Sequence, residues 1–72
     1  MENQLHILVG KNVRKVRNNL GISQEELADI CGLHRTYIGG IERGERNLTV
    51  NTLQTLANAL NVPPELLLSR EV

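Results

Sequence analysis

The fold is decided by the stretch SQEELADICGLHRTYIGGIERG, residues 23–44, which reads as two short helices joined by a tight turn. Ser23 is followed three residues later by Glu26, and this capping box predicts that a helix starts at Ser23. Gly32 supplies the permissive backbone that a helix C-terminus needs, and Leu33 fills the corner between the helices. Three side chains of this helix are predicted to point inward: Leu27, Ala28 and Cys31.

The second helix of the stretch is predicted from about Arg35 to Arg43, with Gly44 ending it. Each of its two glycines costs about 1 kcal/mol relative to Ala, which indicates that something rigid comes close. Arg and Thr in the first turn, a smooth middle and Arg at the end suit the DNA major groove. An ordinary αα-hairpin in a small bundle is the alternative interpretation. Helical periodicity predicts an inner face of His34, Ile38 and Ile41 and an outer face of Thr36, Gly39, Gly40 and Arg43.

Length and composition predict a single all-α domain over residues 1–72. A chain of this size buries only about 60 % of its unfolded surface, so its core is thin and oligomerisation would help. Small aliphatic residues at helical spacing predict a compact bundle of five helices. One Cys excludes an internal disulfide and fits a reducing cytoplasm. Neither a signal peptide nor an apolar run of about 18 residues is present, so neither secretion nor membrane spanning is indicated.

The net charge is zero, from eight Lys/Arg and eight Asp/Glu, which argues mildly against DNA binding. The distribution of charge matters more than the sum, because a basic face can meet phosphates on a neutral protein. We therefore expect a molecule with two electrically different faces. Basic residues occupy the first predicted helix and surround the second helix of the stretch: Lys11, Arg14, Lys15 and Arg17 in the first group, and Arg35, Arg43 and Arg46 in the second. Acidic residues gather at Glu25, Glu26 and Asp29.

A long helix is predicted before this stretch, from about Asn3 to Asn19. Gly10 interrupts its helix propensity, and either close packing of a neighbouring helix or a simple weak spot explains that glycine. The apolar residues of this helix recur at four- and three-residue steps and form one stripe: Leu5, Val9, Val13, Val16 and Leu20.

Two further helices are predicted after the stretch. Thr49 can cap a helix from Val50 to Leu60, and Asn61 suits its left-handed end. A short last helix follows, with Pro64 in its first turn. Residues 66–68 are three consecutive leucines; one helix cannot bury all three against one core, so at least one should face a partner.

The stretch GISQEELADICGLHRTYIGGIERGERNLTVNTL, residues 21–53, resembles the helix-turn-helix domain of Cro/phage-repressor-type (XRE-like) bacterial regulators. Within it, RTYIGGIERGERN most resembles the small controller proteins of restriction–modification systems. The resemblance runs from about Val9 to Leu67. It implies a cytoplasmic, nucleoid-associated regulator of bacterial or phage origin that binds a palindromic DNA operator as a homodimer. Its motif comprises SQEELA, Gly32, Ile38 and Ile41-Glu42-Arg43-Gly44.

The candidate DNA contacts centre on the second helix of the stretch, from about Arg35 to Arg43, which corresponds to the recognition helix of the resembled family. Arg35 can bind a guanine bidentately, and Thr36 can touch a thymine methyl or a base edge. The position of Gly40 often reads bases in the resembled family, but glycine has no side chain to do so. Recognition of the DNA base sequence should therefore depend on Arg35, on Thr36 and on Arg46 from the loop. The candidate DNA-binding residues are Gln24, His34, Arg35, Thr36, Tyr37, Gly40, Arg43, Arg46 and Asn47.

Four of these candidates have expected roles other than base reading. Gln24 resembles the family's phosphate-contacting glutamine at a helix N-terminus, while Tyr37 and Arg43 suit sugar-phosphate contacts. His34 stands where Ser, Thr or Asp usually caps the recognition helix, so a weaker cap is expected. Both a corner-filling role and a phosphate contact remain open for His34.

Glu42 follows Ile41 on the flank of the inward face, where a lone carboxylate is costly. The resemblance implies that Arg17 is its partner in a structural ion pair that ties the first helix to the recognition helix.

A two-fold homodimer is predicted because one recognition helix covers too few base pairs for a specific site. Paired recognition helices read half-sites about 34 Å apart. The C-terminal third holds more apolar side chains than one thin core encloses, although the leucines could instead cover the open end of a monomer. Leu53, Leu56 and Leu60 are expected to serve the core, and the candidate contact residues are Val50, Asn58, Val62, Leu66 and Leu68.

Catalysis and metal binding are not indicated. His6 and His34 belong to different helices, and Cys31 occupies an apolar position typical of a buried structural thiol. No Gly-rich phosphate loop, nucleophile–base pair or cofactor motif is present, so the chain is predicted to be a non-enzyme without cofactor, small-molecule ligand or membrane partner. A protein-interaction module such as an antitoxin or adaptor is the alternative to a DNA-binding regulator.

Overall fold

The computed structural model describes residues 5–70 as four α-helices followed by a short 3₁₀ helix. The first helix packs against the third, the fourth and the 3₁₀ helix, and the second helix packs against the third and fourth. The predicted all-α class is confirmed over this described part. The elements are α1 (Leu5–Leu20), α2 (Gln24–Cys31), α3 (Arg35–Glu42), α4 (Val50–Leu60) and the 3₁₀ helix Pro64–Leu68.

The predicted fifth α-helix is wrong in its type. Two prolines, which have no backbone N–H group, open the segment. Its first backbone hydrogen bond is of the i→i+3 type, from Leu66 N to Pro63 O at 3.0 Å. The buried Asn12 then donates from Nδ2 to Leu67 O at 2.8 Å and to Ser69 O at 2.7 Å. These bonds satisfy carbonyls that a continuing α-helix would use itself, so the segment stays one short 3₁₀ helix.

The predicted helix ends agree with the structure at four places. Ser23 and Glu26 form the complete capping box of α2, and Thr49 Oγ1 accepts from Thr52 N at 3.0 Å to cap α4. Gly32, with φ +70°, ends α2 in the left-handed conformation, as does Asn61 for α4. The predicted start of α1 at Asn3 lies outside the described residues.

The core is built from residues of all four α-helices and the 3₁₀ helix. The predicted apolar stripe of α1 is buried only in its middle, because Leu5 and Leu20 are each about half exposed. Val50 is 82 % exposed, and Leu53 is only partly buried. These residues stand at the ends of short helices, where no opposing helix covers them. The buried hydrophobic residues are Val9, Val13, Val16, Leu27, Ala28, Ile38, Ile41, Leu56, Ala57, Leu60 and Leu67.

At Gly10 the backbone of α1 lies close to the backbone of α3. A Cβ atom at this position would lie 2.1 Å from Ile41 O and 3.2 Å from Glu42 O. Of the two explanations open from the sequence, the structure supports close packing. The absence of a side chain at Gly10 therefore allows α3 to lie this near to α1.

Candidate nucleic-acid interface

The first turn of α3 presents the predicted base-reading residues to solvent. Arg35 and Thr36 are both exposed. His34 begins the helix: its Nδ1 accepts from Thr36 N at 3.2 Å, so the imidazole supplies the cap itself. The predicted inner-face placement of His34 is wrong, because the residue is exposed. A capping residue precedes the first turn and has extended backbone, so helical periodicity does not apply to it.

The middle of α3 consists of two glycines, and neighbouring side chains cover it. Gly39 and Gly40 were predicted on the outer face, yet both are buried. A Cβ atom at Gly39 would lie 3.1 Å from Arg43 Nη1, and one at Gly40 would lie 3.1 Å from Arg46 Nε. Two arginine side chains therefore lie along this face of the helix.

Tyr37 and Arg46 form a stacked pair beside the same face. Arg46 Cζ lies 5.2 Å from the centre of the half-buried Tyr37 ring, a distance at which the ring attracts a cation. Arg43 Nε instead pairs with Glu45 Oε2 at 3.1 Å, and both side chains are about 60 % exposed. The hydrogen bond from Arg43 lowers the pKa of the Glu45 carboxyl, and Glu45 raises the pKa of Arg43. An exposed pair of this kind exchanges readily for a phosphate contact.

The predicted ion pair between Arg17 and Glu42 is present. Arg17 Nε donates to Glu42 Oε2 at 2.7 Å, and Nη2 donates to Oε1 at 3.0 Å. The hydrogen bond to Glu42 raises the pKa of the Arg17 guanidinium. Arg17 Nη1 also donates to Ile22 O at 2.9 Å, which fixes the connection into α2. The pair thus ties α1 to both helices of the candidate site.

The structure adds a contact that the sequence did not predict. Gln24 Nε2 donates to Glu42 Oε1 at 3.0 Å, so the buried carboxylate also orients the candidate phosphate contact at the start of α2. An amide nitrogen carries two N–H groups, and Glu42 uses one of them. Spacing along the chain could not reveal this bond, because Gln24 and Glu42 are neighbours only after α2 and α3 pack together.

The expected separation of charged faces is incomplete. Glu25 and Asp29 of the acidic cluster line the same shallow hollow as His34 and Arg35. Acidic side chains therefore adjoin the base of the recognition helix. They reduce the positive potential around His34 and Arg35, so the expected separation into a basic and an acidic face does not hold at this end of α3.

A second surface lies away from α3. It is an apolar groove of about 640 Å³, and Val50 and Leu68 are the two predicted dimer contacts that line it. Asn58 is exposed and accepts from Gln54 Nε2 at 2.9 Å, while Val62 and Leu66 are partly buried against the core. Leu5 is an exposed groove residue that the sequence interpretation did not include as a contact. The groove is lined by Leu5, His6, Val9, Asn47, Leu48, Thr49, Val50, Leu53 and Leu68.

Within residues 5–70, no group of three metal-binding side chains comes together, and no helix is long and apolar enough to cross a bilayer. Cys31 is only partly buried, less than predicted. Burial still raises the pKa of its thiol, which keeps the thiol protonated at neutral pH.

The two capped helices, their tight turn and the exposed first turn of α3 define a helix-turn-helix unit. The chain belongs to the helix-turn-helix family, whose pattern matches residues 13–67. It is 55 % identical over 64 residues to the control protein C.SmaI of Serratia marcescens, covering 89 % of this chain and 76 % of the relative.

Solved structures of restriction-modification controller proteins are also similar to this chain. The restriction-modification controller protein C.AhdI from Aeromonas hydrophila matches with a TM-score of 0.83 and 42 % identity, covering 86 % of this chain and 94 % of that one. The controller C.Esp1396I, solved as a tetramer with its natural 35 base-pair operator, matches with a TM-score of 0.83 and 39 % identity, covering 92 % of this chain and 87 % of that one.

Proposed function

We propose that this chain is a sequence-specific double-stranded-DNA-binding transcriptional regulator that acts as a homodimer on a palindromic operator, as a restriction–modification controller. The observation that carries the proposal is the exposed first turn of α3, where Arg35 and Thr36 stand beside a helix face along which Arg43 and Arg46 lie. An exposed first turn followed by arginines suits entry of the helix into the DNA major groove. The protein is a regulator and not an enzyme, and it acts in the cytoplasm at the nucleoid.

The contacts divide into base reading and positioning. Arg35 and Thr36 read base edges, and Arg46 adds a third reader from the loop. The other candidates position the protein on the sugar-phosphate backbone or shape the reading surface: Gln24, His34, Tyr37, Gly40, Arg43 and Asn47. One domain, residues 1–72, carries both DNA binding and dimerisation.

A titration with operator-containing and mixed-sequence duplex DNA tests this function. With about six phosphates engaged per dimer, log affinity is expected to fall with log salt concentration at a slope of about −5. Arg35→Ala should weaken operator binding by about 1–3 kcal/mol and relax the preference at one base pair. Lys15→Ala, on α1, is the control and should leave base preference unchanged. A flat salt response would favour the protein-interaction module instead, and equal binding of both DNAs would contradict sequence-specific recognition.

The apolar groove supports dimerisation through the ends of α1, α4 and the 3₁₀ helix. An interface of about 1,000–1,500 Å² would give dissociation in the micromolar range or below. Among the predicted contacts, Val50 and Leu68 are the strongest candidates because both are exposed hydrophobic residues that line the groove. Asn58, Val62 and Leu66 remain candidate contacts of the proposed interface, although they do not line the groove.

Val50→Glu is expected to raise the dimer dissociation constant at least about tenfold, because a carboxylate would be buried at the interface without a partner. The monomer should fold normally, since Val50 is already 82 % exposed. Ile30→Glu is the matched control: Ile30 is 59 % exposed but is not among the groove residues. Sedimentation equilibrium measures the dimer dissociation constants of both variants. A wild-type protein that is strictly monomeric, or equal dissociation constants for the two variants, would remove the support for this interface.

A further inference from the structure

The side chain of Arg46 lies directly across α3 at Gly40. A Cβ atom at Gly40 would meet three atoms of Arg46: Nε at 3.1 Å, Cγ at 3.2 Å and Cδ at 3.7 Å. The arginine reaches this place because the chain reverses at Gly44, with φ +73°, and Glu45 N donates to Gly40 O at 2.9 Å. These features form a Schellman motif, which brings the loop back over the helix.

The guanidinium of Arg46 is held at its far end by Tyr37. A free Arg side chain loses much of its rotamer entropy when it is ordered. Part of that ordering is already present here, before DNA arrives. Under the proposed function, Arg46 also lies over the part of α3 that would face the major groove, at a position with no side chain of its own.

We propose that Gly40 is a specificity-determining residue: the absence of a side chain there lets Arg46 lie across α3 and read a guanine in the major groove. The inference rests on the proposed function and adds to it the residue that positions the third reader. Arg binds guanine bidentately through O6 and N7, and Arg35 reads a separate base from the first turn. Gly40 acts through Arg46 and is a positioning residue.

Gly39 provides a matched comparison within the same helix. A Cβ atom there would lie 3.1 Å from Arg43 Nη1 and 3.6 Å from Gln24 Oε1, so a methyl group displaces Arg43 and leaves Arg46 in place. Gly39→Ala and Gly40→Ala thus make the same chemical change at adjacent positions but move different arginines. Both variants should fold, because the nearest atoms belong to flexible side chains and Ala favours a helix more than Gly does.

The experiment selects bound sequences from a random DNA library with the wild-type protein, Gly39→Ala and Gly40→Ala, and records their melting temperatures. Gly40→Ala is expected to lose roughly tenfold of its preference for one guanine in each half-site, without a lower melting temperature. Gly39→Ala should keep that preference. A stability effect alone would move melting and overall affinity but not one position of the selected sequence.

A double-mutant cycle with Arg46→Ala completes the test. If Gly40 acts through Arg46, then Gly40→Ala should have no further effect on base preference when Arg46 is already absent. Unchanged selection by Gly40→Ala, or a full effect that persists in the Arg46→Ala background, would overturn the inference while leaving the proposed function intact. A wild-type protein that selects no sequence would instead reject the proposed function itself.

Discussion

Glu42→Gln is expected to lower the free energy of unfolding by about 3–5 kcal/mol, because it leaves the Arg17 guanidinium in a nearly dry position without an anion. The side chains of Arg17 and Glu42 are only 10 % and 2 % exposed. Arginine stays protonated at neutral pH, so the buried charge cannot be relieved by losing a proton. For a domain whose total stability is about 5–15 kcal/mol, this loss is a large fraction.

Urea unfolding followed by circular dichroism measures the effect, at one protein concentration because dimerisation stabilises by mass action. Glu45→Gln is the matched control, since Glu45 also pairs with an arginine but is exposed, and its loss should change the midpoint little. A second variant, Arg17→Met with Glu42→Leu, should be less destabilised than Glu42→Gln, because it removes both charges. Equal midpoints for Glu42→Gln and the wild-type protein would show that the buried pair contributes nothing to stability.

The ends of the helices were predictable because they depend on local chemistry. A capping box such as Ser23 with Glu26 satisfies backbone N–H groups within one turn. A residue that tolerates positive φ, such as Gly32 or Asn61, satisfies the last carbonyls in the same way. These signals need no knowledge of the rest of the chain. The helix-turn-helix unit, and with it the position of Arg35, could therefore be predicted from sequence.

The covering of α3 could not be predicted, because it depends on where the loop returns. Gly39 and Gly40 lie on the outer face by periodicity, but the Schellman motif at Gly44 brings Arg46 back over Gly40, and Arg43 lies over Gly39. His34 was misplaced for a related reason: helical periodicity was extended to a residue that lies before the helix. In both cases the local backbone conformation at a helix end decided which side chains are exposed.

Tertiary packing decided the remaining features. The partner of Glu42 lies 25 residues away in α1, and only the family resemblance supplied it. The bond from Gln24 to the same carboxylate was missed, although it joins the stabilising pair to the proposed phosphate contact. The groove was only half predicted, since Leu5 and Leu53 appeared to belong to buried stripes until the ends of the helices proved to be uncovered.

Gly10→Ala is expected to destabilise the protein by about 3 kcal/mol or more, against the gain of about 1 kcal/mol that helix propensity alone predicts. The added methyl group would stand 2.1 Å from Ile41 O, well inside van der Waals contact. Because the obstacle is backbone, α1 and α3 must move apart to accommodate it. That movement also strains the pair between Arg17 and Glu42, which lies at the same helix–helix contact.

Gly39→Ala is the matched control, because it makes the same substitution inside a helix but meets the movable side chain of Arg43 first. The melting temperature should therefore be lower than that of the wild-type protein for Gly10→Ala, and equal to it or higher for Gly39→Ala. For a domain of this size, about 3 kcal/mol corresponds to a decrease of roughly 12–24 °C. If Gly10→Ala melted at or above the wild-type temperature, the close approach of α1 to α3 would not be what requires glycine at this position.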